Sequence, residues 1–557
     1  MEKKVYEFIS QQTTDPIVEW KTCKVSGSEF PIYQSDMEFY DKISPVINGK
    51  KYQIPAPTLC PEERQRRRLL FRNERKLYNR ICDASGKQII SIYSPNNSQK
   101  TYNQNFWFSD SRDPMEYGRD YDFSKTFTQQ FGELLYEIPS PNLIVFENED
   151  SEYTNHVRYC KKCYLLFEGW FSENIFYSNM IQHSHALVDC THADNCEHCY
   201  QCVDIQNCYC CSYCVNCKNC KNCFWCRNLE GKEYYIDNVP YTKEEYHIKT
   251  QELLLSGKIW YKTIWTIEND GIIHSEDCYG WCITHSKSCI ICFDVNRSEN
   301  LKYCMSIDED FRDSHDLSNC AKWEFMYEWT SVAGHGVFFS RMVASGDNVF
   351  YSIWCMNNVR NCFGCTGLNN KEYCILNKQY TKEEYEKLVP KIIEKMIADG
   401  EWWEFFNPSL SFFGYNETVA QEQFPLTRKE ALERGYKWQE VSYDTNIPQD
   451  AKVIKGDEIS IDIKKVGDDI LKMIFVCEIS EKPFRIIKPE LEFYRKHNLP
   501  LPRKHPDIRH EERMKLRPKR ELHLRNCDKC GIEIISVYPK DFEWKVYCEK
   551  CYKKEMY

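Results

Sequence analysis

The sequence predicts a mainly β protein, a cysteine-ladder parallel β-solenoid in two segments with helical caps, flanked by duplicated zinc-ribbon-like α+β modules. Three observations predict it: the cysteines between Cys190 and Cys226 keep one triplet phase, a stretch beginning at Cys223 recurs 139 residues later, and the two ends of the chain repeat each other. The 557 residues suit several domains, and 42% hydrophobic with 15% aromatic residues is a globular composition. There is no run of about 18 apolar residues, and no apolar stretch of signal-peptide length opens the chain, so a cytoplasmic protein away from membranes is expected. In a reducing cytosol the 32 cysteines are then metal ligands, packed core residues or redox centres rather than disulfides.

The first element, residues 1–105, reads as a degenerate module with a basic helix. Cys23, Ser26, Phe30, Ile32 and Glu38-Phe39-Tyr40 recur 454 positions on as Cys477, Ser480, Phe484, Ile486 and Glu492-Phe493-Tyr494. After a nine-residue insertion in the first copy, Pro61, Arg64, Arg68, Arg72, Arg75, Arg80, Cys82-Asp83 and Gly86 match Pro506, Arg509, Arg513, Arg517, Arg520, Arg525, Cys527-Asp528 and Gly531. The second copy, residues 477–557, closes with Cys527-x-x-Cys530 and Cys548-x-x-Cys551. That spacing aims four thiolates at one ion, and a closed four-cysteine shell serves folding rather than catalysis, so zinc is the expected cofactor. At the same positions the first copy has Cys82, Ser85, Asn103 and Phe106; the upstream pairs are reduced to Cys23 and Cys60 with Ser26 and Glu63, and to Cys477 with Ser480, His505 and Ile508. Too few ligands remain there for zinc. Arg64, Arg68, Arg72 and Arg75 share one face of a helix, and Arg509, Arg513, Arg517 and Arg520 repeat the stripe, with Pro518 shortening the second helix. These eight are the candidate phosphate contacts; a solvated basic face is the plainer reading.

Residues 106–155 connect this module to the solenoid. Asp110, Asp113, Asp120 and Asp122 with Arg112 and Arg119 read as an ion-paired loop before a carboxylate site. The first solenoid segment spans 156–240. Its period of three suits neither a helix nor a flat strand but a polygonal coil with short sides and frequent corners, and Asn195, Asn207 and Asn219 add a period of twelve. Ala193 and Ile205 fill cysteine positions, which favours core packing of the thiols over a ligand cage; Cys210 alone is out of phase in this run. His183 and His185, near Cys190 and His192, form a weaker metal candidate than exposed turn residues.

Cys223, Phe224, Cys226, Lys232-Glu-Tyr234 and Tyr241-Thr242-Lys-Glu-Glu-Tyr246 return as Cys362, Phe363, Cys365, Lys371-Glu-Tyr373 and Tyr380-Thr381-Lys-Glu-Glu-Tyr385. Each segment therefore ends in a helix capped by Thr242 or Thr381, near 243–255 and 382–399. These belong to cap regions 241–270 and 381–440, with the second solenoid segment at 271–380 between them and a linker at 441–476. Trp402, Trp403, Phe405, Phe406, Phe412 and Phe413 are expected to pack on the solenoid.

Cys60-Pro61-x-x-Arg64, Arg72-Asn-Glu-Arg-Lys-Leu-Tyr78, Trp107-Phe-Ser-Asp110, Asp113-Pro-x-x-Tyr117-Gly-Arg-Asp120, Glu152-Tyr-Thr-Asn155, the Lys-Glu-Tyr endings and Thr427-x-x-Glu-Ala431 with Gly435-Tyr-Lys-Trp438 carry a resemblance along essentially the whole chain. The sequence resembles a family of cysteine-rich zinc-ribbon proteins of ultra-small bacteria. That resemblance implies a terminal zinc ribbon and no particular activity. Members often carry cysteine where this chain has Ser26, Glu63, Ser85, Asn103 and Phe106.

The net charge of -10 argues against a simple nucleic-acid binder, but its distribution does not. Between Cys60 and Cys82 eight basic residues face three acidic ones, and from Lys482 to Arg525 fourteen face six, so two basic ends flank an acidic middle. No phosphate-cradling glycine loop, nucleophile elbow or His-Glu-x-x-His motif occurs. The leading expectation is a noncatalytic nucleic-acid or ribonucleoprotein binding scaffold, meeting RNA or DNA through the basic modules, with the solenoid left for a protein partner. A thiol-rich metal-binding or redox protein and an enzyme with an unrecognised site are the alternatives.

Overall fold

The computed structural model describes residues 1–256, 267–307, 311–320, 323–324, 326–330, 334–440, 447 and 450–556. The fold is mainly β, and its centre is a parallel β-solenoid of about 17 turns within residues 145–375. In the first segment Asn155–Arg158, Phe167–Trp170, Asn179–Gln182, Thr191–Asp194 and Val203–Gln206 stack in parallel, each residue pairing twelve positions on, as Asn155 with Phe167 and Thr191 with Val203. Every third residue from Glu147 to Asn228 has φ between 44° and 59°. Two extended residues make a side and one left-handed residue makes a corner, so four triplets close one coil. The left-handed state costs a non-glycine residue about 1–2 kcal/mol, least for Asn and Asp. Asn195, Asn207 and Asn219 sit at such corners, and their amides bond along the stack at 2.7 and 3.1 Å.

The residue after each corner points inward. Cys190, Cys196, Cys199, Cys202, Cys208, Cys211, Cys214, Cys217, Cys220, Cys223 and Cys226 fill that position and are buried, with Ile181, Leu187, Ala193 and Ile205 in the same core. A four-sided coil leaves room for only four small side chains at each level, and Cys208, Cys211, Cys214 and Cys217 occupy one whole level. The second segment has the same construction. Its parallel sheet runs from Tyr279–Thr284 through Lys287–Asn296, Phe311–Cys320 and Gly346–Phe350 to Glu372–Ile375. Its coils are less regular: Ile273 pairs with Thr284 eleven residues on, Cys289 with Leu301 twelve and Glu299 with Arg312 thirteen.

Both segments end alike. Glu233–Ile236 turns back on Val239–Pro240, and Glu372–Ile375 on Lys378–Gln379. Each is followed by a helix, Lys243–Leu255 and Lys382–Asp399, opened by capping boxes of Thr242 with Glu245 and Thr381 with Glu384. Tyr246 then lies on Tyr234 and Tyr385 on Tyr373, both at 5.7 Å between ring centres. Residues 257–266 of the first cap region, and 441–446 and 448–449 of the linker, lie outside the described residues. The rest of the linker region is not bare: Val453–Lys455 pairs with Ile474–Val476.

The terminal modules pack crosswise on this centre. The Pro61–Leu69 helix of the first lies on Phe311–Cys320 and Tyr327–Thr330 of the second segment, whereas the Pro506–Met514 helix of the last module lies on Thr191–Asp194 of the first segment. Of the aromatic stretch after the second cap, Trp403 packs on the solenoid as expected, whereas Phe412 and Phe413 pack on the first module and the connecting region. Trp403 packs on Tyr327, Phe338 and Phe339, Phe406 on Phe131, and Phe413 on Tyr93.

Candidate metal centre

The four sulfurs of Cys527, Cys530, Cys548 and Cys551 all lie within 4.8 Å of one another, with Cys530 Sγ 3.8 Å from Cys548 Sγ. Four sulfurs about 2.3 Å from one ion stand about 3.8 Å apart, so the set fits a tetrahedral metal centre. The backbone builds it. Cys527 N–H donates to Ile532 O at 2.8 Å and Gly531 N–H to Cys527 O at 2.9 Å, with Gly531 at φ 76°, a conformation in which a side chain would be strained. Val546 N–H donates to Asp528 Oδ2 at 2.7 Å, and Cys548 N–H to Cys527 Sγ at 3.2 Å. Burial opposes ionisation of Cys527, but the surrounding peptide N–H groups outweigh it and draw the thiol down to about 6. A thiolate is thus favoured at neutral pH before any metal arrives.

The first copy keeps this framework without the ligands. Gly86 N–H donates to Cys82 O, Thr101 N–H to Asp83 Oδ2 at 2.7 Å, and Asn103 N–H to Cys82 Sγ at 3.2 Å. Ser85, Asn103 and Phe106 stand where the other three thiols would be. The upstream hairpins repeat the turn at Cys23 and Gly27 and at Cys477 and Glu481. In the first of these Ser26 Oγ is 3.6 Å from Cys60 Sγ, and Glu63 is turned to Arg66 and Arg434 instead.

The ladder thiols have other partners. Cys202 Sγ lies 3.4 Å from both Tyr200 O and Cys211 O, and Cys214 Sγ 3.5 and 3.4 Å from Ser212 O and Cys223 O. Burial pushes the Cys190 and Cys214 thiols well above the ordinary range, so they are protonated donors to backbone carbonyls. Among the described residues no three ladder sulfurs lie within 4.8 Å of one another. The sets that meet this distance are the C-terminal four thiols, His185 with Glu197 and His198, and His192 with Cys282 and Asp294.

The eight stripe arginines do not form an open basic face. Their side chains are between 0% and 11% exposed, and each is paired with a carboxylate. Arg64 Nε reaches both oxygens of Asp316 at 2.9 and 3.0 Å, and Arg68 reaches Asp316 at 3.1 Å with Ser318 Oγ at 3.5 Å. The second copy repeats this: Arg509 and Arg513 share Asp189, the latter at 2.9 Å, and Arg513 Nε donates to Thr191 Oγ1 at 3.1 Å. Arg72 pairs with Glu74 and Glu168, Arg75 with Asp507, Arg517 with Asp204 and Asp294, and Arg520 with Asp294. Asp189, Asp204, Asp294, Asp316 and Glu168 are all left-handed corner residues of the solenoid. Seven of the eight guanidinium groups are therefore teeth by which the modules grip the solenoid, and Arg75 ties one module to the other; a phosphate contact by any of them would have to displace these buried pairs.

The other candidates disperse. His183 is exposed and bonded to Asp194, His185 turns to Glu197 and His198, and Cys190 is inside the core, so they do not converge. Asp113 caps a short helix, Asp120 meets Lys378 and Tyr380, and Arg119 meets Glu137, so the loop's ion pairs run to residues outside it and not between its own aspartates and arginines. No protein-family model matches the chain, and no curated protein does.

Proposed function

We propose that the protein is a noncatalytic binding scaffold in which a paired β-solenoid is held by two zinc-ribbon-like modules, the second closed by one structural zinc on Cys527, Cys530, Cys548 and Cys551. The convergence of those four sulfurs within 4.8 Å of one another carries the zinc assignment. The scaffold reading draws on the arginines. With the eight stripe arginines spent on seven internal carboxylates, they add almost nothing to offset the net charge of -10, which on balance repels a phosphate polymer. The solenoid faces, not the arginine rows, are then the surface for a partner, and a protein suits them better than RNA or DNA. The test has two arms on the full-length protein. Cys548→Ser is expected to abolish zinc binding by the C-terminal module and make it sensitive to proteolysis; unchanged zinc content would contradict the assignment. Titration with mixed-sequence RNA and duplex DNA is expected to show no binding at physiological salt. Tight binding that weakens steeply with salt would restore the nucleic-acid reading.

A further inference from the structure

Of the cysteines in the solenoid, Cys282, like Cys210, breaks the pattern. It is a corner residue with φ 53° and points away from the core, next to the inward-facing Ile283. It faces the first segment across a cleft of about 110 Å³ lined by Trp170, Gln182, Gln206, Lys218, Thr284 and Asn296. On the floor of that cleft a ring nitrogen of His192, Cys282 Sγ and a carboxylate oxygen of Asp294 all lie within 4.8 Å of one another. His192 comes from one solenoid segment, and Cys282 and Asp294 come from the other.

We infer that His192, Cys282 and Asp294 form a second metal site, one that takes a zinc-class divalent ion and leaves a coordination position open to the cleft. The donor set is one sulfur, one imidazole and one carboxylate, which suits zinc, and three protein ligands with an open position are the pattern of a reactive rather than a structural site. The supporting shell is built. His192 Nδ1 is 2.7 Å from Asp204 Oδ1, which orients the ring and leaves Nε2, once deprotonated, for the ion. Asp204 is held in turn by Arg517 Nε at 3.1 Å. Asp294 takes Arg517 on Oδ1 and Arg520 on Oδ2 at 2.8 Å, which fixes the carboxylate and leaves a lone pair on each oxygen for an ion. Two carboxylates balance two guanidinium groups, so the thiolate and the ion add a single net positive charge.

A thiol nucleophile is the competing use of the same residues. Cys282 lies beside the Asp294 carboxylate, which disfavours a free thiolate and favours one stabilised by a cation. Binding therefore replaces the S–H bond with a sulfur–metal bond and releases that proton to solvent.

The test is equilibrium dialysis of the metal-stripped full-length protein against zinc, with folding followed by circular dichroism. The wild type is expected to bind about two ions per chain, and Cys282→Ser and His192→Gln about one each. The Gln variant keeps a donor for Asp204, so it guards against simple misfolding of the first. Wild-type binding of about one ion that Cys548→Ser abolishes would overturn this site and leave the C-terminal zinc standing. Binding of about one ion that survives Cys548→Ser but not Cys282→Ser would do the reverse. Two ions retained in both cleft variants would also overturn it.

Discussion

Arg513 and Asp189 show how much a single buried pair carries. The guanidinium has carboxylate, hydroxyl and carbonyl partners on Asp189, Thr191 and Tyr177, all inside the fold. Removing one partner of a buried pair leaves the other charge uncompensated, at a cost of about 3–5 kcal/mol. Asp189→Ala, which strands both Arg513 and Arg509, is therefore expected to destabilise the protein by about that amount in denaturant unfolding, whereas Arg158→Ala, which removes an exposed 3.5 Å contact to Glu147, should cost less than about 1 kcal/mol. Glu490 provides a pH test. Burial outweighs the opposing pull of Arg509 and the Tyr177 hydroxyl, raising this carboxyl to about 7. A folded-state value above the unfolded one means stability is greatest below pH about 4.3 and declines as pH rises through about 7. Glu490→Gln should flatten that decline in unfolding midpoints measured between pH 5 and 8; an unchanged slope would refute the assignment. The spacing of the arginines was legible in the sequence, but their partners were not. Arg64 and Asp316 are 252 residues apart, and nothing local says that a stripe ends in carboxylates rather than water.

Among the elements, the coil was the most legible because its period is imposed by backbone geometry. A left-handed corner every third residue fixes which side chains point inward, so Cys, Ile, Leu and Ala share one phase. The cap helices were equally plain, since a threonine before Lys-Glu-Glu meets the need of unpaired N–H groups in the first turn. Thr381→Ala should lower stability by about 1 kcal/mol in thermal unfolding. The phase that marks Cys210 as outward also marks Cys282 when set against Ile283 and Cys289, yet its ligand partners sit on the other solenoid segment and no spacing reveals them. Packing of the ladder thiols makes its own prediction. In native zinc-loaded protein an alkylating reagent should modify the half-buried, ligand-free Cys210, while Cys199, Cys202 and Cys214 react only after unfolding. Rapid labelling of the latter three under native conditions would rule out a closed core.

At the scale of the whole molecule the duplication has a consequence the sequence alone does not show. The two modules repeat each other and the two solenoid segments repeat each other, but each module grips the segment remote from it in the chain, through the same Arg–Asp–hydroxyl arrangement at Asp316 with Ser318 and at Asp189 with Thr191. This crosswise docking turns four repeated pieces into one body and sets the cleft between the segments, with Arg517 reaching carboxylates on both. The cysteines divide accordingly into a large population that packs the coils and a small one placed to bind metal. Elemental analysis of the anaerobically purified full-length protein tests that division most directly. The account predicts zinc at no more than about two ions per chain, with neither iron nor copper. Three or more metal ions per chain, or an iron or copper content that follows the ladder cysteines, would contradict it.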